Sequence, residues 1–278
     1  MYSQDMTMKH KNFSLSRIKR VLIPLFFLVL IGLGIIKIYP GVKKQVLAQQ
    51  NPPVHAFVLV GQSNMVGHGS LPLVQSASGN IFKWDNSAWV TGIEPVHYGE
   101  FGPSMSFALE LLRLKNDANY KIGLIPCAKG GSSITEWQKG QTFYTECLNK
   151  VKAVQANGAI IEGMLMSQGE ADSQTKQAAN AWGGLVIQFA KDFRSDYGNI
   201  HTPFIFAQLG YDPHIVKYPY WKYLHDLQPA ILSGHGNYRM IVTDDLSKNS
   251  DKIHFNRDSQ VTIGQRFARA TCKVMDCQ

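Results

Sequence analysis

Ala56-Phe57-Val58-Leu59-Val60 runs without a polar residue into Gly61-Gln62-Ser63-Asn64-Met65. An unbroken apolar run fits a strand buried on both faces of a parallel sheet, whereas a half-exposed strand would alternate. The break at Gly61 marks where such a strand ends. In open parallel sheets, ligands bind outside the carboxyl ends of the strands. Ser63 is therefore expected at the mouth of the sheet. A serine there serves as a nucleophile only with a base at hand; otherwise it caps a turn. Met65 breaks the G-x-S-x-G pattern, so this is not the nucleophile elbow of the α/β-hydrolases.

Four similar runs follow at Lys121–Pro126, Ile160–Met166, Pro203–Leu209 and Tyr238–Thr243. Between them lie amphipathic stretches at Ser104–Leu114, Thr142–Gln155, Gln177–Tyr197 and Tyr220–Leu232. A closing helix is expected from Arg257 to about Lys273, with Asn256 as its N-cap. Ile81–Val90, with Trp84 and Trp89 around Asp85-Asn86-Ser87, reads as a small hairpin insertion. The strand–helix alternation predicts an α/β domain over 54–278, with a mainly parallel five-stranded sheet and helices on both faces.

Of the 278 residues, 45% are hydrophobic and 17% charged, which excludes a disordered, collagen-like or coiled-coil chain. The net charge of +8 is unevenly placed. Residues 1–44 hold eight Lys and Arg against Asp5, and the rest of the chain is left at +1. A nearly neutral globular part argues against a nucleic-acid partner.

The basic N-terminal region contains Val21–Ile36, which carries no charge. A helix from Val21 to Tyr39 would run ~28 Å, close to the ~30 Å hydrocarbon core of a bilayer. Five basic residues precede the uncharged run Val21–Ile36 and three follow it, which places the N-terminus in the cytoplasm. The expected organisation is a cytoplasmic tail (1–20), a transmembrane signal anchor (21–39), a linker (40–53) and an extracytoplasmic domain (54–278). The alternative is a cleaved signal peptide, with Val46-Leu47-Ala48 as the cleavage site. Cys127, Cys147, Cys272 and Cys277 all follow this segment, and an even count in an exported domain suits two disulfides. Of three pairings, Cys127 with Cys147 and Cys272 with Cys277 is preferred. No C-x-x-C and no H-E-x-x-H occurs, so nothing suggests a metal site.

The other strand ends carry their own polar residues. Gly130-Gly131, within Cys127–Ser133, lets backbone N–H groups turn inward as an oxyanion nest, or is merely a turn. Gln168, within Ser167–Asp172, offers an amide to a developing oxyanion, or belongs to an exposed acidic loop. Asp251 stands three residues before His254, a spacing that lets a carboxylate orient the imidazole, or that makes a metal pair or an incidental surface pair. His55, His97 and His235 read as surface or packing residues; His68 is held in reserve because it lies near Ser63 in sequence.

In chain order, GQSNM at 61–65, PCAKGGSSITEW at 126–137, QGEAD at 168–172 and DKIHFN at 251–256 resemble the four blocks of the SGNH hydrolases. More narrowly, they resemble the sialate O-acetylesterase-like branch, which includes the acetylxylan esterases of carbohydrate esterase family six. The Trp84–Trp89 segment and FGPSMSFA at 101–108 share the likeness, which covers about residues 54–272. The resemblance implies a three-layer α/β/α, flavodoxin-like fold. It implies that Ser63 is the nucleophile and His254 the general base. The amides of Ser63 and of the Gly130-Gly131 loop, with Gln168, would form the oxyanion hole, and no cofactor is needed. The family's usual His-Gln-Gly-Glu reads Ser167-Gln168-Gly169-Glu170 here, a departure that falls on a substrate contact. Two acids, Asp251 and Glu170, are candidates for orienting His254, and proximity favours Asp251. The expected activity is removal of O-acetyl groups from a carbohydrate. The alternatives are an acetyltransferase on the same machinery and a non-catalytic carbohydrate-binding protein.

Overall fold

A computed structural model describes residues 52–70, 79–213 and 217–277. The expected cytoplasmic tail, the 21–39 segment and all but Pro52-Pro53 of the linker lie outside these residues. Among the described residues, no helix is long and apolar enough to cross a membrane.

The strands are β1 (Val54–Gly61), β2 (Ile81–Asp85), β3 (Ala88–Thr91), β4 (Lys121–Pro126), β5 (Ile160–Ser167), β6 (Phe204–Ala207) and β7 (Tyr238–Ile241). They form one sheet in the order β3-β2-β4-β1-β5-β6-β7, parallel throughout except for the β2–β3 hairpin. The helices are α1 (Ser63–Val66), α2 (Ser104–Lys115), α3 (Thr142–Ala156), α4 (Lys176–Asp196), α5 (Trp221–Ser233) and α6 (Arg257–Met275).

The unbroken apolar run of β1 has a direct cause. Ala56, Val58 and Val60 pack into one core with Tyr144 and Val151 of α3 and with Trp182, Val186 and Phe189 of α4. Phe57 and Leu59 pack into a second core with Met105, Phe107 and Leu111 of α2 and with Ile263 and Phe267 of α6. Helices cover both faces, so neither set of alternate side chains meets water. Each fully buried large apolar side chain contributes roughly 1.5–3 kcal/mol. With β4 on one side and β5 on the other, β1 is the innermost strand, and its carboxyl end lies mid-sheet.

The expected five strands are present, but the sheet has seven. The hairpin is not an insertion, because β2 pairs in parallel with β4, Ile81 beside Ile122 and Phe82 beside Gly123. Gly123 explains the fit. A Cβ there would come within 2.4 Å of Trp89 Cη2, so the missing side chain makes the slot that Trp89 fills. The last two strands are shorter than expected. Gln208-Leu209 and Val242-Thr243 leave the sheet to build the loops above it.

Cys127, directly after β4, is bonded to Cys147 of α3, and Cys272 of α6 to Cys277. The first bridge spans a sequence separation of 20. A loop of that size removes enough freedom from the unfolded chain to contribute ~3 kcal/mol. The double variant Cys127→Ser, Cys147→Ser should therefore melt about 6–12 °C lower in a thermal scan. An unchanged melting temperature would show that the bridge does not constrain the fold.

Candidate active site

Gly61 ends β1 at φ 119°, and a Cβ on it would fall 2.1 Å from the Ser167 carbonyl oxygen of β5. Only glycine lets the chain turn there. The Gln62 N–H then donates to that carbonyl at 2.9 Å, and Ser63 opens α1 at the top of the sheet. The Ser63 Oγ lies 2.9 Å from His254 Nε2. On the other side of the ring, His254 Nδ1 lies 2.6 Å from Asp251 Oδ2. Asp251 is fixed in turn, because its Oδ1 accepts the backbone N–H groups of Ile253 at 2.8 Å and His254 at 2.9 Å. Partial burial opposes its charge, but these amides and the imidazole hold the carboxyl below the usual range. A carboxylate accepts at Nδ1 only from an N–H. The neutral ring therefore presents its Nε2 lone pair to the Ser63 hydroxyl.

Asn64, which the sequence reading passed over, secures this line from behind. Its side-chain amide donates to the Ile253 carbonyl at 3.3 Å, and its Oδ1 accepts the Phe255 N–H at 3.1 Å. The residues on either side of His254 are thus tied to the residue that follows Ser63. Glu170 stands behind Asn64, accepting its amide at 2.5 Å. The second candidate acid therefore orients the clamp, while Asp251 makes the contact with the imidazole. Glu170 is fully enclosed, and burial raises its pKa despite the Asn64 hydrogen bond.

Two expected oxyanion donors are engaged elsewhere. Gln168 is wholly buried, and its amide nitrogen donates to the Ser132 carbonyl at 3.2 Å and to the Asp172 carboxylate. Its oxygen accepts from Trp182 Nε1 at 2.6 Å, which fixes which way the amide faces. Gln168 leaves β5 into the α3–α4 layer instead of the cleft, because Trp182 and Asp172 satisfy both of its ends there. The Gly130 N–H is also turned away, donating to the Tyr98 hydroxyl at 2.8 Å. Gly131 sits beside it in the same loop.

The glycine loop rests on a buried polar scaffold. Ser132 Oγ donates to the Lys129 carbonyl at 2.8 Å and accepts Trp137 Nε1 at 2.9 Å. The Lys129 N–H donates to the Gly61 carbonyl at 2.8 Å, which ties the loop to the turn before Ser63. Asp172 accepts the Ile134 N–H at 3.0 and 3.1 Å, and burial pushes its pKa up to about 6. Apart from its place in QGEAD, nothing in the sequence marked Asp172.

Gln168→Ala strands the Ser132 carbonyl and Trp182 Nε1 in a buried place, at ~1–3 kcal/mol for each group left unpaired, and leaves the Asp172 carboxylate with the Ile134 N–H alone. The variant should melt several degrees lower, and amides 129–134 should exchange faster with deuterium. A wild-type melting temperature with a loss confined to kcat would return Gln168 to the oxyanion hole.

The profile of the family "Carbohydrate esterase, sialic acid-specific acetylesterase" matches residues 53–273. A probable carbohydrate esterase from Arabidopsis thaliana is 28% identical over 260 residues, covering 84% of this chain and 96% of the relative. The crystal structure of an Arabidopsis thaliana protein superposes with a TM-score of 0.73 at 24% identity, over 80% of this chain and 99% of that one. NanS has a TM-score of 0.66 at 14% identity, over 82% and 99%. A carbohydrate acetylesterase from Xanthomonas citri has a TM-score of 0.56 at 22% identity, over 81% and 57%. At these identities the structures establish the fold alone. The family profile spans nearly all of the described domain, and the chain belongs to the carbohydrate esterase, sialic acid-specific acetylesterase family.

Proposed function

We propose that the protein removes O-acetyl groups from a carbohydrate through an acyl-enzyme on Ser63. The observation that carries this reading is the line from Ser63 Oγ through His254 to Asp251, at 2.9 and 2.6 Å, in a chain of a carbohydrate esterase family. His254 Nε2 takes the Ser63 proton as Oγ attacks the ester carbonyl. Asp251 holds the ring and stabilises the imidazolium. The developing oxyanion is met by backbone amides of Ser63 and Gly131, since Gly130 and Gln168 are engaged elsewhere. The imidazolium returns its proton to the departing sugar oxygen. His254 then activates a water, which releases acetate and frees Ser63.

Acetate release from acetylated xylan, acetylated sialic acids and p-nitrophenyl acetate tests the activity and sorts the sugar. Ser63→Ala and His254→Ala should each lower kcat by ~10⁶-fold, as loss of either group does in a comparable triad. Retention of a tenth of the activity by folded Ser63→Ala would refute the nucleophile assignment. Asp251→Asn should cost ~10⁴-fold in kcat. Glu170→Gln keeps an acceptor for Asn64 and should cost far less; the reverse order would transfer the orienting role to Glu170. Protonation of a histidine base removes the lone pair that takes the Ser63 proton, so kcat/KM should fall as the pH is lowered. A profile flat down to about pH 4 would exclude a histidine base.

We also read Val21–Tyr39 as a signal anchor that tethers the domain outside the cytoplasm. The uncharged run and the five basic residues before it support this, as do the four cysteines beyond it. Full-length protein in host membranes should resist carbonate extraction and meet protease only from the extracytoplasmic side. Soluble protein beginning at Gln49 would replace the anchor with a cleaved signal peptide.

A further inference from the structure

Asp251 and Ser63 hold His254 at its two nitrogens, which leaves the faces of the ring. His68 covers one of them, with ring centroids 3.9 Å apart and 16° between the planes. Its backbone is pinned from two directions. The next residue, Gly69, exchanges backbone hydrogen bonds with Phe101 at 3.0 and 3.1 Å. The His68 carbonyl accepts the Asn249 side-chain amide at 3.0 Å. Asn249 donates its own backbone N–H to the His254 carbonyl at 2.7 Å, so one residue couples the two histidines.

We propose that His68 is a positioning residue. Stacked on His254 and coupled to it through Asn249, it keeps the general-base imidazole in line with Ser63 and favours the imidazolium formed during attack. This rests on the reading of His254 as the base. A ring stacked on one face blocks the rotation that would carry Nε2 away from Ser63 Oγ. A neutral aromatic face also attracts a cation set over it, whereas a charged one repels it. His68 meets the second requirement. Burial lowers its pKa and His254 lowers it further, against the opposing pull of Glu100 and Asp251. Arg257, at the start of α6, directs its guanidinium over the Phe101 ring, 5.6 Å from the centroid.

The test uses the full chain with p-nitrophenyl acetate, and NMR titration of His254 in parallel. His68→Ala should lower kcat by ~10- to 100-fold, the scale set by a misplaced catalytic group, with KM within about twofold of wild type. His68→Phe keeps a flat ring and should recover kcat to within about threefold of wild type, whereas His68→Leu, with similar bulk and no ring, should not. His68→Lys sets a fixed cation against the imidazole. It should lower kcat and move both the acid limb and the His254 titration to lower pH. Three results would overturn the proposal: wild-type kcat and acid limb in His68→Ala, a Phe variant no better than Leu, or a change confined to KM. Failure of the underlying reading shows separately, in wild-type protein whose acid limb does not follow the His254 titration.

Discussion

The hydrogen bond from Ser63 to His254 joins residues 191 apart in sequence, and the site depends on it. Two short, fixed connections bring the residues together. Gly61 presses the end of β1 against β5, which sets Ser63 at the top of the innermost strand pair. Asn64, one residue on, grips the chain on both sides of His254. Ser63 and His254 are therefore positioned from adjacent residues of one turn. A loop carrying His254 alone would have to order itself at each turnover. A clamp built on α1 makes that ordering part of folding, which is how a protein lowers the entropic cost of bringing reacting groups together.

Beneath the cleft, polar groups are buried in an otherwise apolar layer. Gln168, Asp172, Ser132, Trp137 and Trp182 form a connected set under the glycine loop. Buried polar groups are tolerated only when partnered, and a satisfied network fixes one arrangement where apolar packing would allow several. The Cys127–Cys147 bridge adds a covalent tie where β4 enters the same loop. The glycine loop is thus held at its start by a disulfide, at Lys129 by Gly61, and from below by Gln168. Such rigidity suits electrostatic stabilisation, which requires donors that need not reorganise when charge appears.

Much of the fold was legible in the sequence because burial on both faces of a parallel sheet writes itself as continuous apolar runs. β4 and β5 match their apolar runs nearly residue for residue, and β1 extends its run Ala56–Val60 to Val54 and Gly61. The β2–β3 hairpin was seen, but not its pairing with β4. That depends on Gly123 making room for Trp89, a contact between elements that no local pattern records. At the site, Asp251 and His254 were legible because three residues separate them and the contact is local. Its place directly after a strand makes Gln168 a candidate donor to an oxyanion. Its true direction is set by Trp182 on α4, fourteen positions further on. Asn64 and Asp172 act through backbone amides of distant loops, and backbone partners leave no signature in residue type. His68 stood near Ser63 in sequence, but its stacking on His254 appears only in three dimensions.

Labelling with a fluorophosphonate probe, followed by peptide mapping, addresses the assembled Ser63–His254–Asp251 line most directly. The probe phosphonylates only a serine whose proton is being drawn away, so it reads nucleophile and base together without any assumption about the sugar. The expected result is one adduct, on Ser63, in the wild-type protein, and none in folded His254→Ala. An adduct on a different residue, or labelling of Ser63 undiminished by loss of His254, would contradict the assignment.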